Sequence, residues 1–260
     1  MRIAQRALLL LYRAIRRTGI LATAPGRSLF ESGYWAYKSL LEARDIEHLR
    51  PYVTPGTTVI DVGANIGFFA VRFARWVGDE GRVIAIEPES VNFDSLCTRV
   101  QQLGLRERVI ALRAAAIERS GEVRLALNPD HPADHRVAES GIAVPGLAID
   151  DVMAERGWPR VSLIKVDVQG SELRVIRGAR TTLERWGPTL YVEFHEPSLR
   201  EAGTSSQELL RELLALGYSP SFLDKHATWR LIDAQALDAT MKARGYLDVL
   251  LVPARGALAH

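Results

Sequence analysis

From Thr57 to Trp76 the chain reads TTVIDVGANIGFFAVRFARW. The first part is a run of apolar and β-branched residues around one acid, Asp61, and the last part repeats apolar residues at helical spacing. Between them stand Gly63 and Gly67, with Asn65 midway. A buried strand that passes through a two-glycine turn into an amphipathic helix is the opening unit of a layered α/β fold. Gly63 and Gly67 permit positive φ and a close approach to the backbone, and asparagine is among the few other residues that tolerate the left-handed region. The spacing predicts a helix from about Ile66, whose first N–H groups would face a negative or polar ligand.

The alternation continues downstream. RVIAIEP reads as a strand and ESVNFDSLCTRVQQLG as a helix ended by Gly104. ERVIALRAAAI is a strand region, GEVRLAL another strand, and AIDDVMAERG a short helix. VSLIKVDV and PTLYVEF read as strands, each followed by a helix, SELRVIRGARTTLERW and SSQELLRELLALG. Apolar strands alternating with helices predict a doubly wound, mostly parallel sheet covered on both faces. The closing runs, YSPSFLD and GYLDVLLVP, have no full helical pattern between them, which predicts an antiparallel C-terminal strand. NPDHPADHRVAESG reads as a long polar loop at 128–143, with His131 and His135 solvated or gating an acceptor.

At 260 residues and a net charge of +2, the chain is expected to be one domain with an extension and not a nucleic-acid binder. The single cysteine, Cys97, cannot pair within the chain, which fits a reducing, cytoplasmic setting. The N-terminal run MRIAQRALLLLYRAIRR carries Arg2, Arg6, Arg13, Arg16 and Arg17 and no acid. On a helix these arginines share an arc of about 100°. Such a basic amphipathic helix packs its leucines on the domain or on a second subunit, or else lies on an anionic membrane surface; packing is the favoured reading. Its apolar stretch is too short to span a bilayer or to form a signal-peptide core. TAPGRS reads as a loop and Gly33 to Leu49 as helical, and RPYVTPGTTV breaks the pattern. The boundary therefore falls between an N-terminal helical extension, 1–50, and the main domain, 51–260.

The turn selects among ligands. In a dinucleotide fingerprint opened by Gly63, the second glycine would fall on Asn65 and the third on Phe68, which cannot allow close helix–strand packing. The Gly-Lys-Ser/Thr ending of a phosphate loop is absent. Asp61, just before the turn, would repel a pyrophosphate and suit an ammonium group. Glu87 ends the second strand, where an acid hydrogen-bonds ribose hydroxyls; its plainer reading is an acid at a helix N-terminus. A ribose diol and a zwitterionic tail together describe S-adenosylmethionine, with Asp61, Gly63, Asn65, Gly67 and Glu87 as its contacts.

Four segments, VIDVGANIGFFA, VIAIEPES, LIKVDVQGSELRVIRGA and TLYVEFHEP, with LAIDDV between them, resemble the FkbM family of S-adenosylmethionine-dependent methyltransferases. The block Lys165, Asp167, Gly170 and Glu172 is the most specific part. The resemblance implies a Rossmann-like fold and O-methylation of hydroxyls on natural products or glycans. The family usually carries Glu before that glycine, where this chain has Gln169, which keeps the size and loses the charge.

O-methylation needs an acceptor oxygen held in line with a sulfonium carbon, and a group that takes its proton. Asp167, Glu172, Glu193 and His195 are the candidates, all at the ends of strands four and five or just beyond. His195 leads as base because its ordinary pKa lies near neutrality. Asp167 is a second candidate for cofactor contact, and Glu172 has a plain reading as a helix N-terminal acid. Lys165, inside an apolar strand, is expected to meet one of these carboxylates. Asp167, Glu193 and His195 could form a Mg²⁺ or Mn²⁺ site, although the spacing is not diagnostic and a metal-free base is favoured. Ala115, in the small run Ala114 to Ala116, would leave room for adenine. The alternatives are N- or C-methylation on the same fold, a nicotinamide oxidoreductase, and a non-catalytic cofactor-binding scaffold.

Overall fold

Strand β1 (Thr58–Val62) is buried along its whole length, as expected for a strand covered on both faces. In the computed structural model the described residues are 46–128, 135–224 and 226–254, with Gly26, Gly33 and Trp35. The basic N-terminal segment therefore lies outside the described residues, as does His131. Gly26, expected in a loop, is helical, as are Gly33 and Trp35. Trp35 packs edge-on against Phe68, with the Arg99 guanidinium 4.7 Å from its ring centre. Among the described residues no helix is long and apolar enough to cross a membrane.

The Thr57–Trp76 unit forms as read. After β1 comes α1 (Phe68–Trp76), then β2 (Arg82–Ile86), α2 (Ser90–Gln102) and β3 (Val109–Leu112). Later strands β8 (Val161–Val166) and β9 (Thr189–His195) complete a parallel block in the order β9-β8-β1-β2-β3. The alternating strand residues divide into two cores. Ile60, Val62, Ile84, Ile86, Ile164 and Val166 pack on one face, and Val59, Val83, Ala85 and Leu163 on the other, under Phe73 and Ala74 of α1 and Leu96 and Val100 of α2.

The C-terminal end is antiparallel, as expected. It holds β10 (Tyr218–Leu223), β11 (Trp229–Leu231) and β12 (Tyr246–Pro253), with β12 lying antiparallel between β9 and β10. The expectation that no full helix separates the last strands is corrected by α8, Ala234–Arg244. Asp233 caps it by accepting from the Ala236 N–H, Gly245 closes it in the left-handed region, and Leu237 and Met241 form its buried side.

Three further readings are corrected. ERVIALRAAAI divides into β3 and β4 (Ala115–Ala116), which belong to different sheets. β5 (Gly121–Ala126), β6 (Arg136–Ala138) and β7 (Ile142–Leu147) join β4 in a second sheet of order β4-β7-β5-β6. Part of the expected polar loop is thus strand, because pairing with β5 satisfies its backbone groups. The helix expected across 171–186 is two, α4 (Glu172–Gly178) and α5 (Arg180–Trp186). Gly178 passes so close to the second sheet that a Cβ there would stand 2.1 Å from the Ile117 carbonyl oxygen. Between β7 and β8 lies α3 (Ile149–Glu155), and after β9 come α6 (Glu196–Glu201) and α7 (Ser206–Ala215).

Candidate active site

The candidate residues gather at the C-terminal ends of β1, β2, β8 and β9, where open parallel sheets place their ligands. Gly63, Asn65 and Gly67 all have positive φ, 75°, 50° and 88°. The N–H groups of Gly63 and Ala64 donate to the Ile86 carbonyl, that of Asn65 to Glu87 Oε2 at 2.8 Å, that of Ile66 to Asn65 Oδ1, and that of Gly67 to the Ala64 carbonyl. The turn therefore satisfies its own donors, and α1 starts at Phe68, which corrects the expectation of free N–H groups from Ile66. Its two glycines let the turn pack tightly, Gly63 against the Asp167 backbone and Gly67 against Leu96, with the Glu87 carboxylate beside it.

That carboxylate is Glu87. Its Oε1 accepts from the Glu89 N–H at 3.0 Å, so β2 and the turn of β1 meet on one side chain. Burial pushes its pKa up to about 7, against the pull of these two N–H groups. The helix-capping role belongs to Glu89, whose Oε2 accepts from the Asn92 N–H at 2.8 Å.

Asp61 lies one layer beneath the turn and is wholly buried. Lys165 Nζ stands 3.5 Å from Asp61, 3.4 Å from Asp167 and 2.9 Å from the Gly63 carbonyl oxygen, to which it donates. Lys165 does meet a carboxylate, as expected, and in fact meets two. Among the described residues no donor reaches either Asp61 oxygen in full hydrogen-bond geometry. Its pKa is raised by burial, with the Lys165 charge and the nearby Ala70 N–H opposing. Both side chains project to the α1 face, as their alternation with Ile60 and Ile164 requires.

At the next strand ends, β9 places Glu193 and His195 on one face, half-buried, while Val192 and Phe194 enter the opposite core. Ser198 Oγ lies 2.6 Å from His195 Nδ1, a bond whose direction follows the ring tautomer. Gln169, with φ 53°, donates through Nε2 to Asp167 Oδ1 at 3.2 Å and to Glu193 Oε2 at 3.1 Å. Glu193 is held well above the usual carboxylate range by burial and then by the charges of Asp167, Asp248 and Glu172. Asp248, on β12, is in register with Glu193, and Tyr246 with His195. Gln169's bridge, Asp248 and Ser198 were not read from the sequence. Asp248 carried no local signal, since only strand order sets it beside Glu193.

Glu172, a catalytic candidate by sequence, is fully buried and turned to its own loop. Its Oε1 accepts from the N–H groups of Val168 and Gly170, and burial pushes its pKa up to about 7. It shapes the loop from Asp167 to Ser171, and its charge also acts on the strand-end acids Asp167 and Glu193. Ala115 is packed with Ile117, Leu125 and Val144 in the second sheet's core, which replaces the expected place beside adenine. His135 accepts from the Asn128 N–H at 3.1 Å and is half-buried, not simply solvated. Asp167, Glu193 and His195 do not converge as a metal site. The Gln169 amide, a donor, sits between the two carboxylates, and among the described residues no group of three His, Cys, Asp or Glu is arranged to hold a metal.

A family model described as the methyltransferase FkbM domain matches residues 61–220. The hexuronic acid methyltransferase AglP of Haloferax volcanii is 27% identical over 153 residues, covering 58% of this chain and 62% of that one. The 31-O-demethyl-FK506 methyltransferase FkbM of Streptomyces tacrolimicus is 30% identical over 158 residues, covering 48% and 60%. Across the curated relatives it matches, the chain covers 60–67% of their length. The solved structure of a candidate rRNA methylase from Clostridium thermocellum superposes with a TM-score of 0.51 at 13% identity, over 84% of this chain and 97% of that one, a likeness of fold.

Proposed function

The chain belongs to the FkbM methyltransferase family, and from that premise we propose that it is an S-adenosylmethionine-dependent O-methyltransferase whose acceptor is a hydroxyl of a sugar, glycan or secondary metabolite. The observation that carries the reading is the meeting of Glu87 with the Asn65 N–H at the glycine turn, in a site that also holds the strand-end acids and His195. Each Glu87 oxygen accepts one backbone N–H and keeps acceptor capacity for the paired hydroxyls of a ribose. The acceptor oxygens of Glu87 beside the glycine turn fit that cofactor.

When bound, S-adenosylmethionine would supply a sulfonium-activated methyl group for in-line transfer to the acceptor oxygen, with S-adenosylhomocysteine as the leaving thioether. The chain's part is to hold that oxygen and remove its proton. His195 serves as the proton acceptor, through Nε2 in the tautomer whose Nδ1–H donates to Ser198 Oγ. Asp167 and Glu193 bind the acceptor hydroxyl beside it. Asp61 acts on the cofactor's ammonium end through the buried pair with Lys165 and its bond to the Gly63 carbonyl. Residues 1–50 belong to the same proposal as an extension that contacts acceptor, membrane surface or a second copy, in a cytoplasmic enzyme. The relatives' named acceptors, a hexuronic acid and 31-O-demethyl-FK506, support a glycan or natural product.

Calorimetric titration with S-adenosylmethionine and S-adenosylhomocysteine, with and without Mg²⁺, tests the proposal. Binding of both without the metal is the expected result. A folded chain that binds neither would replace the enzyme with a scaffold.

A further inference from the structure

Gln169 combines two features that local structure does not require. Its φ of 53° lies in the left-handed region, a strained place for a residue with a Cβ. Its side chain joins two carboxylates from neighbouring strand ends, Asp167 after β8 and Glu193 on β9. The backbone around it is fixed independently. Glu172 accepts from the N–H groups on either side of Gln169, those of Val168 and Gly170. Gly170, at φ 104°, lies so close to α6 that a Cβ would stand 2.4 Å from the Ser198 carbonyl oxygen. Glycine at 169 would accept this conformation without strain. That a glutamine stands there points to use of its side chain.

The electrostatics say what that use is. Glu193 faces Asp167 from β8, Asp248 from β12 and Glu172 from α4, with Lys165 from β8 as an opposing charge and His195 two residues along its own strand. Lys165 is shared with Asp61 and with the Gly63 carbonyl. Two carboxylates this close repel unless a donor lies between them. An amide is a donor at every pH, and its two hydrogens reach both acids. A carboxylate at 169 would add a third negative charge and would donate only when protonated.

We propose that Gln169 is a positioning residue whose amide clamps the carboxylates of Asp167 and Glu193 into one oriented pair on the acceptor side of the site. The acceptor side rests on the function proposed above; the clamp itself rests on geometry alone. By donating to both acids, Gln169 favours their ionised forms and keeps them aimed together, so that an incoming hydroxyl meets a fixed pair next to His195.

The test needs no acceptor. In the full chain, labelled with ¹³C at the Glu and Asp side-chain carboxyls, the pair is titrated by NMR, with Glu193→Gln assigning the Glu193 signal. Gln169→Leu is expected to raise the pair's upper titration by about one pH unit, and Gln169→Glu by at least as much. Gln169→Gly is expected to unfold at the same or a higher temperature while its pair titration departs from the parent's, separating the clamp from a packing role. Unchanged titration in Leu, Glu and Gly variants that remain folded would overturn the proposal, as would a Gly variant that titrates like the parent. Should the Leu or Glu variant fail to fold, the Gly variant decides between the two. Cofactor binding by the parent, measured separately, fails or succeeds independently of this result.

Discussion

Gly63 and Asp167 touch so closely that a Cβ at residue 63 would stand 1.8 Å from the Asp167 carbonyl oxygen. This contact joins the turn after β1 to the end of β8, and so ties together the two sides proposed for cofactor and acceptor. Gly63→Ala must relieve a backbone clash and occupy φ 75°, and is expected to cost about 3 kcal/mol or more. At Gly67 a Cβ would meet the end of the Leu96 side chain at 2.6 Å, which can move. Gly67→Ala should therefore cost clearly less. Urea midpoints of the two variants check the order, and an equal loss would contradict it.

Glu87 should make cofactor binding pH-dependent. Its pKa is about 7 in the ligand-free chain, and ribose hydroxyls donate best to the ionised form. Affinity for S-adenosylmethionine is expected to rise with pH from 6 to 8, as less of the carboxyl must lose its proton on binding. Glu87→Gln should weaken binding by about tenfold or more at pH 8 and remove most of that dependence. Calorimetry at three pH values measures both effects. Parent-like binding by Glu87→Ala would refute the ribose assignment.

The buried pair of Asp61 and Lys165 should behave as a unit. Lys165→Met leaves Asp61 buried without its counter-charge and is expected to destabilise by about 3–5 kcal/mol. Adding Asp61→Asn removes the stranded charge and should recover part of that loss. A double-mutant cycle on denaturant midpoints reads the coupling, and strict additivity would mean the two charges do not sense each other.

Glu172 should carry a pH-dependent stability penalty. Its folded pKa, about 7, is raised above the ordinary value of 4.5. Its contribution is therefore most favourable below the unfolded value and is lost as pH rises to about 7. Glu172→Gln can still accept the Val168 and Gly170 N–H groups and does not ionise. The variant is expected to lose less stability than the parent between pH 5 and 7, by roughly 1–3 kcal/mol. Thermal unfolding across that range provides the comparison.

The parts of the site that could be read in advance are those at strand–helix junctions. Asp61, Gly63, Asn65, Gly67 and Glu87 sit where an apolar run gives way to a helical one, and a parallel α/β sheet sends all such junctions to one edge. Glu193 and His195 were readable as sharing a face because strand periodicity is local. That Glu172 accepts from its own loop was not readable, because an acid after a strand looks the same in sequence with or without such bonds. Ala115 misled because neighbouring alanines on one strand face different cores, Ala114 and Ala116 one way and Ala115 the other.

By itself the sequence determined most element types and the mostly parallel main sheet, because hydrophobic periodicity, glycine turns and caps act over a few residues. It also determined that the chemistry-bearing residues stand at strand ends. The tertiary structure alone decided the company they keep. Placing β12 against β9 set Asp248 beside Glu193. The close approach of Gly170 to α6 and of Gly63 to Asp167 fixed the loop that carries Gln169. Lys165 became a shared partner of two acids only once β1 and β8 were paired. These relationships join residues far apart along the chain, and their energies depend on distance and burial, which exist only after the strands are ordered and packed.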